Sequence, residues 1–311
     1  MSTGDGTTGA HGDPVDPAQP SEPEEYPIRA HELIEALREQ RRMQLKGGLY
    51  HLTQIEMAYN TNRIEGSQLT EDQTRYIFET KTVSGEALSI DDITETANHF
   101  RAFDAMIDSI DEPVTSQVLK NYHRMLKSGT SDAAKPWFVV GGWKTLPNEV
   151  GGMPTSAPKD VERDIAELLE SAPNKMTFND ICDFHQRLES IHPFQDGNGR
   201  VGRLVLFQQC MQNGIMPFVV LDSQKEFYYR GLKRYDDEPG FLRDTFRSFQ
   251  DAYSGRFTPF VPKKTPAVDQ AVAPTADPAA DPAADRRKRF PELFRSDQDQ
   301  ARAGSDADFE L

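Results

Sequence analysis

Only two cysteines, Cys182 and Cys210, occur in 311 residues. That is too few for a disulfide framework or a zinc ligand set, and both fall in helical patterns where a thiol serves as a small buried apolar group. Positive charge is in deficit, with 35 Lys and Arg against 50 Asp and Glu, a net charge of -15 and a pI near 4.9. Such a balance argues against general affinity for nucleic acid or anionic membrane, so neither is expected as a partner. No apolar run approaches the length that spans a bilayer, and the N-terminus lacks the basic start and apolar stretch of a signal peptide. A cytoplasmic protein is expected. Hydrophobic residues are themselves sparse at 37%, so part of the chain is expected not to pack.

The unpacked parts are expected at the ends. Residues 1–27 are Gly, Thr, Pro, Asp and Glu with almost no large apolar side chain, a composition that cannot repay the entropy of ordering. Residues 259–311 read the same way. They hold a small repeat, Ala276-Asp277-Pro278-Ala279 and Ala280-Asp281-Pro282-Ala283, then the basic run Arg286-Arg287-Lys288-Arg289. Between these tails, residues 28–258 carry helical patterning almost throughout. Thr70-Glu71-Asp72-Gln73 has capping-box form. Apolar residues recur near a period of 3.6 over 90–110, 115–128, 159–171 and 177–191, with further helices over 223–236 and 240–253. Residues 199–212 are nearly apolar all round after Arg203, the mark of a buried central helix. One stretch is not helical. Phe138-Val139-Val140 and Trp143 flank glycines, and Gly151-Gly152 follow, so 138–153 reads as a short hairpin. The expected fold is all-α with one small β flap.

The densest chemistry lies at His192-Pro193-Phe194-Gln195-Asp196-Gly197-Asn198-Gly199-Arg200-Val201-Gly202-Arg203. Gly197, Gly199 and Gly202 have the spacing of a dinucleotide fingerprint, but that fingerprint needs a strand before it and here a helix precedes. The residues suit other chemistry. Pro193 keeps His192 out of helical geometry. Gly197, Asn198 and Gly199 form a flexible loop that opens directly into a helix, and such a loop binds anions. Arg200 and Arg203 lie three apart on the first turn and are expected to share a face, where two guanidinium forks suit a chain of phosphates. Asp196 stands at the mouth of the loop, where a carboxylate can hold Mg²⁺ against phosphate oxygens. His192 can accept a proton near neutral pH. Together these describe phosphoryl or nucleotidyl transfer.

The order His-Pro-Phe-x-(Asp/Glu)-Gly-Asn-Gly-Arg-x-x-Arg, complete from His192 to Arg203, resembles the signature of the Fic family, and the likeness extends in helical layout over residues 30–255. The resemblance implies a Fic-type helical bundle, with its core over about 90–255. By the same resemblance His192 is the general base, Asp196 the Mg²⁺ ligand and Phe194 the anchor of the loop. Gly197, Asn198, Gly199, Arg200 and Arg203 bind the phosphates of ATP, the two arginines on the more distal ones. The kinase-like branch of the superfamily has Lys where this chain has Gly199, which favours AMP transfer over phosphate transfer. Gly142, Trp143 and Lys144 resemble part of the family's target-docking flap. Tyr228 and Tyr229 resemble its adenine side.

Thr61-Asn62-Arg63-Ile64-Glu65-Gly66 fits the family's inhibitory pattern, (Ser/Thr)-x-x-x-Glu-(Gly/Asn), on a helix expected over about 48–66. The resemblance implies that Glu65 pairs with Arg203 and takes the place of the terminal phosphate, as in class II members. The implied activity is transfer of AMP from Mg-ATP to a Ser, Thr or Tyr hydroxyl of a protein target, the chain itself included. Two alternatives stay open: Glu65-dependent removal of AMP from a modified target, and a non-catalytic ATP-sensing regulator. The oligomeric state stays open as well, a homodimer among the choices.

Overall fold

The computed structural model describes residues 26, 27 and 29–261, so the expectations for 1–25 and 262–311 lie outside the described residues. Among the described residues ten α-helices follow one another: α1 (Ala30–Arg42), α2 (Leu49–Ile64), α3 (Glu71–Thr80), α4 (Ile90–Asp108), α5 (Ser116–Lys127), α6 (Val161–Ser171), α7 (Phe178–Ile191), α8 (Asn198–Gln212), α9 (Lys225–Lys233) and α10 (Gly240–Phe257). Two short strands, β1 (Glu149–Val150) and β2 (Met153–Pro154), pair between α5 and α6. The all-α class with a small β element is what the patterning predicts.

The helix starts follow from local chemistry. Thr70 accepts from the Gln73 backbone and Gln73 returns a side-chain oxygen to Thr70, a full capping box for α3. Ser89, Thr115 and Thr177 cap α4, α5 and α7 through their hydroxyls in the same manner. α8 is the exception. It starts from Gly197 at φ 81°, a left-handed conformation that glycine adopts without a Cβ penalty.

α8 is the axis of the fold. Every residue from Asn198 to Met211 is buried, and α7, α5, α4, α2 and α1 pack around it. Phe194, Val201, Leu204, Phe207, Phe103, Leu119 and Ile181 belong to one continuous core. α2 is almost as deep, with Leu49, Ile55, Met57, Ala58, Thr61 and Ile64 buried. Cys182 and Cys210 are free and buried, as their positions on α7 and α8 suggest. Among the described residues no helix is long and apolar enough to cross a membrane.

The flap differs from expectation. Phe138-Val139-Val140 form no strand. Phe138 turns inward against the His123 ring, and the chain reverses at Gly141, φ 74°, where a Cβ would lie 2.9 Å from the Arg124 side chain. The hairpin instead spans 149–154, with Glu149 opposite Pro154 and Val150 opposite Met153. Gly151 and Gly152, at φ 55° and 77°, form its two-residue turn, which demands left-handed backbone at both positions. At the C-terminal end, packing runs past 258. Residues 258–260 make a 3₁₀ turn, and the Phe260 carbonyl accepts from the Gln40 side chain. At the other end Tyr26, inside the expected tail, donates its hydroxyl to Asp251.

Candidate active site

α7 ends at His192, which adopts φ 51° and ψ 61° and so turns the chain out of the helix before Pro193. Its Nδ1 lies 3.3 Å from the Glu189 carbonyl. A carbonyl only accepts, so Nδ1 carries the proton and Nε2 is left with its lone pair. Burial lowers the pKa of this imidazole below its ordinary value, so the neutral, proton-accepting form dominates at neutral pH.

The loop after His192 is held from inside. Phe194 is fully buried and its ring stacks on His123 with centroids 4.1 Å apart. The Asn198 side chain accepts from the Phe194 N–H at 2.7 Å and donates to the Phe194 carbonyl at 2.8 Å. That amide is therefore spent on bracing the loop. Any phosphate contact from Asn198 must come from its backbone N–H at the start of α8. Gln195 braces the outer side, exchanging hydrogen bonds with both backbone groups of Leu146.

Asp196 stands where α8 begins. Its Oδ2 accepts from Lys127 Nζ at 2.6 Å and from Arg200 Nη2 at 2.9 Å. Burial works to raise its pKa, but Arg200 and Lys127 outweigh burial and hold it down to about 2. Lys127 also donates to Glu95 at 2.5 Å and Asp132 at 2.7 Å, with its side chain 2% exposed. Arg200 pairs with Glu95 as well. Three carboxylates thus surround two cations. Glu95, Lys127 and Asp132 escape the sequence reading because they lie on α4, at the end of α5 and in the turn after it. One signal was available: Lys127 continues the buried stripe of Leu119, Tyr122, His123 and Leu126, where a lysine needs partners.

The carboxylate oxygens of Glu95, Asp132 and Asp196 lie within 4.8 Å of one another, as metal ligands do. Lys127 already sits among them, so a cation caged by all three is not what this geometry offers. The Asp196 side chain is 45% exposed, and Lys127 and Arg200 both use the same oxygen. The carboxylate keeps a face toward solvent at the loop mouth. This fits Mg²⁺, which takes one or two carboxylates and completes its shell with water and substrate phosphates.

Arg200 and Arg203 do not form the shared fork that their spacing suggests. Arg200 is buried and turned toward Glu95 and Asp196. Arg203 turns the other way, to α2. Its Nη2 donates to Glu65 Oε1 at 2.5 Å and to the Thr61 carbonyl at 3.2 Å, and its Nε donates to the Thr61 hydroxyl. Acid on both flanks of α8 pulls the guanidiniums apart. Gly66 follows at φ 101°, which ends α2 just past Glu65. Gly199 lies beneath the pair, where a Cβ would meet Glu65 Oε1 at 2.4 Å.

Behind Arg203, Glu189 presses its carboxyl onto Gly202, where a Cβ would lie 2.1 Å from Oε1. Burial raises the Glu189 pKa to about 7, against the pull of Arg203. Of the two tyrosines on α9, Tyr228 is a core residue and not an adenine contact. It is buried, bonded to His185 Nε2 at 2.9 Å, and its ring packs on Phe246. Tyr229 is half-exposed and donates to the Ile64 carbonyl at the end of α2. Of the flap residues, Lys144 is buried, Gly142 is half-buried, and Trp143 is half-buried and packs on the Phe194 ring with centroids 5.2 Å apart. Nearby in sequence, the apolar side chains of Trp137, Val139, Leu146, Val150 and Met153 are exposed.

A helical bundle with an anion-type loop opening its central helix defines the class, and comparison with known proteins names it. Residues 113–210 match the model of the Fic/DOC family, so the chain contains a Fic domain. The protein adenylyltransferase Fic of Nematostella vectensis is 27% identical over 213 residues, which cover 63% of this chain and 47% of the relative. The chain spans about half the length of that relative, and less of the Drosophila ananassae one, at 39%. A Fic domain containing signaling protein from Bacteroides thetaiotaomicron superposes with a TM-score of 0.54 at 24% identity, over 74% of this chain and 90% of that one. Fic-1 (residues 134–508) of Caenorhabditis elegans gives 0.56 at 21%, over 75% and 72%. These likenesses establish the Fic fold.

Proposed function

We propose that the chain is a protein adenylyltransferase, restrained by its own Glu65. The observation that carries this reading is His192, its Nδ1 turned to the Glu189 carbonyl so that Nε2 keeps its lone pair, on the loop that opens α8, with Asp196 at the mouth of the same loop. His192 accepts the proton of a Ser, Thr or Tyr hydroxyl as its oxygen bonds to the α-phosphorus of ATP. The bond from that phosphorus to the bridging oxygen breaks, and pyrophosphate leaves. The backbone N–H groups at Gly197, Asn198 and Gly199, with the helix dipole behind them, hold the charge that the phosphates carry. Asp196 would hold Mg²⁺, which neutralises phosphate charge. Arg203 binds the terminal phosphate when it is free. In its present pairing the guanidinium is committed to Thr61 and Glu65, so the triphosphate cannot settle in line for attack.

The target is a protein hydroxyl on this chain or another. Incubation with Mg²⁺ and ATP labelled at the α-phosphate tests the reading, using Glu65→Gly alongside the parent. Label on protein supports it. Label removed from a pre-modified protein, or nucleotide binding with neither, would replace it by one of the two alternatives.

A further inference from the structure

Lys144 is the least expected side chain near His192. It is 3% exposed, and each of its hydrogen-bond partners is neutral. Burial lowers its pKa to about 8, while the Asp164 carboxylate on α6 favours the charged form. Its Nζ donates to Asn148 Oδ1 at 2.7 Å, Thr155 Oγ1 at 2.6 Å and the Ile191 carbonyl at 3.3 Å. An ammonium has three donors, and here three oxygens receive them. Its backbone N–H donates to the Pro193 carbonyl at 2.9 Å. Asn148, turned by the same contact, donates Nδ2 to the Phe194 carbonyl at 2.9 Å. The carbonyls of residues 191, 193 and 194 are thus all held by Lys144 and Asn148, on both sides of His192. His192 needs such support, because a left-handed conformation in a non-glycine residue ahead of a proline is costly and persists only where its neighbours impose it.

We infer that Lys144 and Asn148 are positioning residues that clamp the chain around His192 and, through the buried ammonium, keep its imidazole ready to accept a proton. A buried cation whose hydrogen-bond partners are all neutral, with Asp164 the carboxylate that acts on it from beyond them, is an expensive way to fill space, since an apolar side chain would do so at less cost. What an apolar side chain cannot do is fix three oxygens and place a positive charge beside the base. The groups facing His192 divide by sign. Burial, first, and then Lys144 favour the neutral imidazole. The Glu189 carbonyl, the Glu65 carboxylate and the Asp196 carboxylate favour the protonated one. Lys144 is the cation that offsets two carboxylates. The clamp also bridges the base of the hairpin, because Asn148 and Thr155 flank β1 and β2 and Thr155 donates to the Asn148 carbonyl.

This inference rests on the proposed role of His192 as base, so its test has one arm that needs no activity. In the Glu65→Gly background, Lys144→Met and Asn148→Ala are compared with the parent by NMR titration of the His192 ring, assigned by the signal lost in His192→Gln. Lys144→Met is expected to raise the His192 pKa by about half a pH unit or more. Asn148→Ala keeps the ammonium and is expected to leave that pKa nearly in place. Both are expected to slow AMP transfer by roughly tenfold or more while KM for ATP stays within about twofold, as a misplaced base predicts. The acid limb of the rate profile should move upward with the pKa in Lys144→Met only. If Lys144→Met leaves both the pKa and the rate unchanged, the inference is overturned. If Lys144→Met does not fold, an Asn148→Ala enzyme at full parental rate overturns it equally. A parent that transfers no AMP at all sinks the functional reading, while the titration still decides whether Lys144 acts on His192.

Discussion

Glu65 Oε1 accepts a 2.5 Å hydrogen bond from Arg203 Nη2, joining the residue that caps the C-terminus of α2 to the second turn of α8. If this pair withholds the guanidinium from ATP, Glu65→Gly raises self-modification with labelled ATP by roughly tenfold or more, mainly in rate. Loss of the half-buried pair should cost about 1 kcal/mol of stability. Arg203→Ala added to Glu65→Gly erases the gain. A parent as fast as Glu65→Gly removes the inhibitory role and leaves the transferase reading standing.

His192→Ala should abolish transfer and leave ATP affinity within about threefold, because a base acts in the transition state and hardly in the ground state. Since burial holds the His192 pKa below its ordinary 6.5, the parent's acid limb should fall below that value. Equilibrium binding of a fluorescent ATP analogue, beside the rate profile, checks both. Transfer by His192→Ala at the parental rate would discard the mechanism.

Asp196→Asn should lose the Mg²⁺ dependence of ATP binding together with activity, while Lys127 stays bonded to Glu95 and Asp132 and keeps the fold intact. Calorimetric titration of ATP with and without Mg²⁺, paired with a melting curve, measures this. Unchanged metal dependence would move the ion elsewhere.

Glu189 gives a pH signature of stability. Its carboxyl has a folded pKa of about 7 against an ordinary 4.5. A raised carboxyl pKa means that the folded state holds the proton longer, so stability is lost as pH rises from 4.5 through 7. Glu189→Gln keeps the shape without the charge. It should match the parent near pH 4.5 and exceed it by about 2 kcal/mol at pH 8 in urea unfolding. An equal difference at both pH values would show that packing, not ionisation, is responsible.

Helices were legible where sequence writes them twice, in apolar period and in cap. Ser89, Thr115 and Thr177 cap helices that the periodicity predicts, and Thr70 caps one announced by its capping box. The loop from His192 to Arg203 was legible because its chemistry is contiguous. Three things were not. Phe138-Val139-Val140 has strand composition, but Phe138 finds a better place on His123 than in a ladder, and the two glycines at 151 and 152 decide where the hairpin turns. The divergence of Arg200 from Arg203 depends on Glu95 and Glu65, which come from distant helices. The burial of Lys144 depends on Asn148, Thr155 and Ile191, and no local pattern announces that a lysine will find three oxygens.

The depth of α2 sets how the proposed restraint by Glu65 would work. From Leu49 to Ile64 this helix is part of the core, so withdrawing it would amount to unfolding the domain. Only the Glu65 side chain, at the exposed end, can leave Arg203 on its own, and rotamer changes of exposed side chains take picoseconds to nanoseconds. Restraint of this kind is a rapid equilibrium and not a latch. The tenfold effect predicted for Glu65→Gly corresponds to about 1.4 kcal/mol and would leave the released form populated roughly a tenth of the time. On that reading a basal trickle of product is expected, and any partner that favours one rotamer of a single side chain would reset its level.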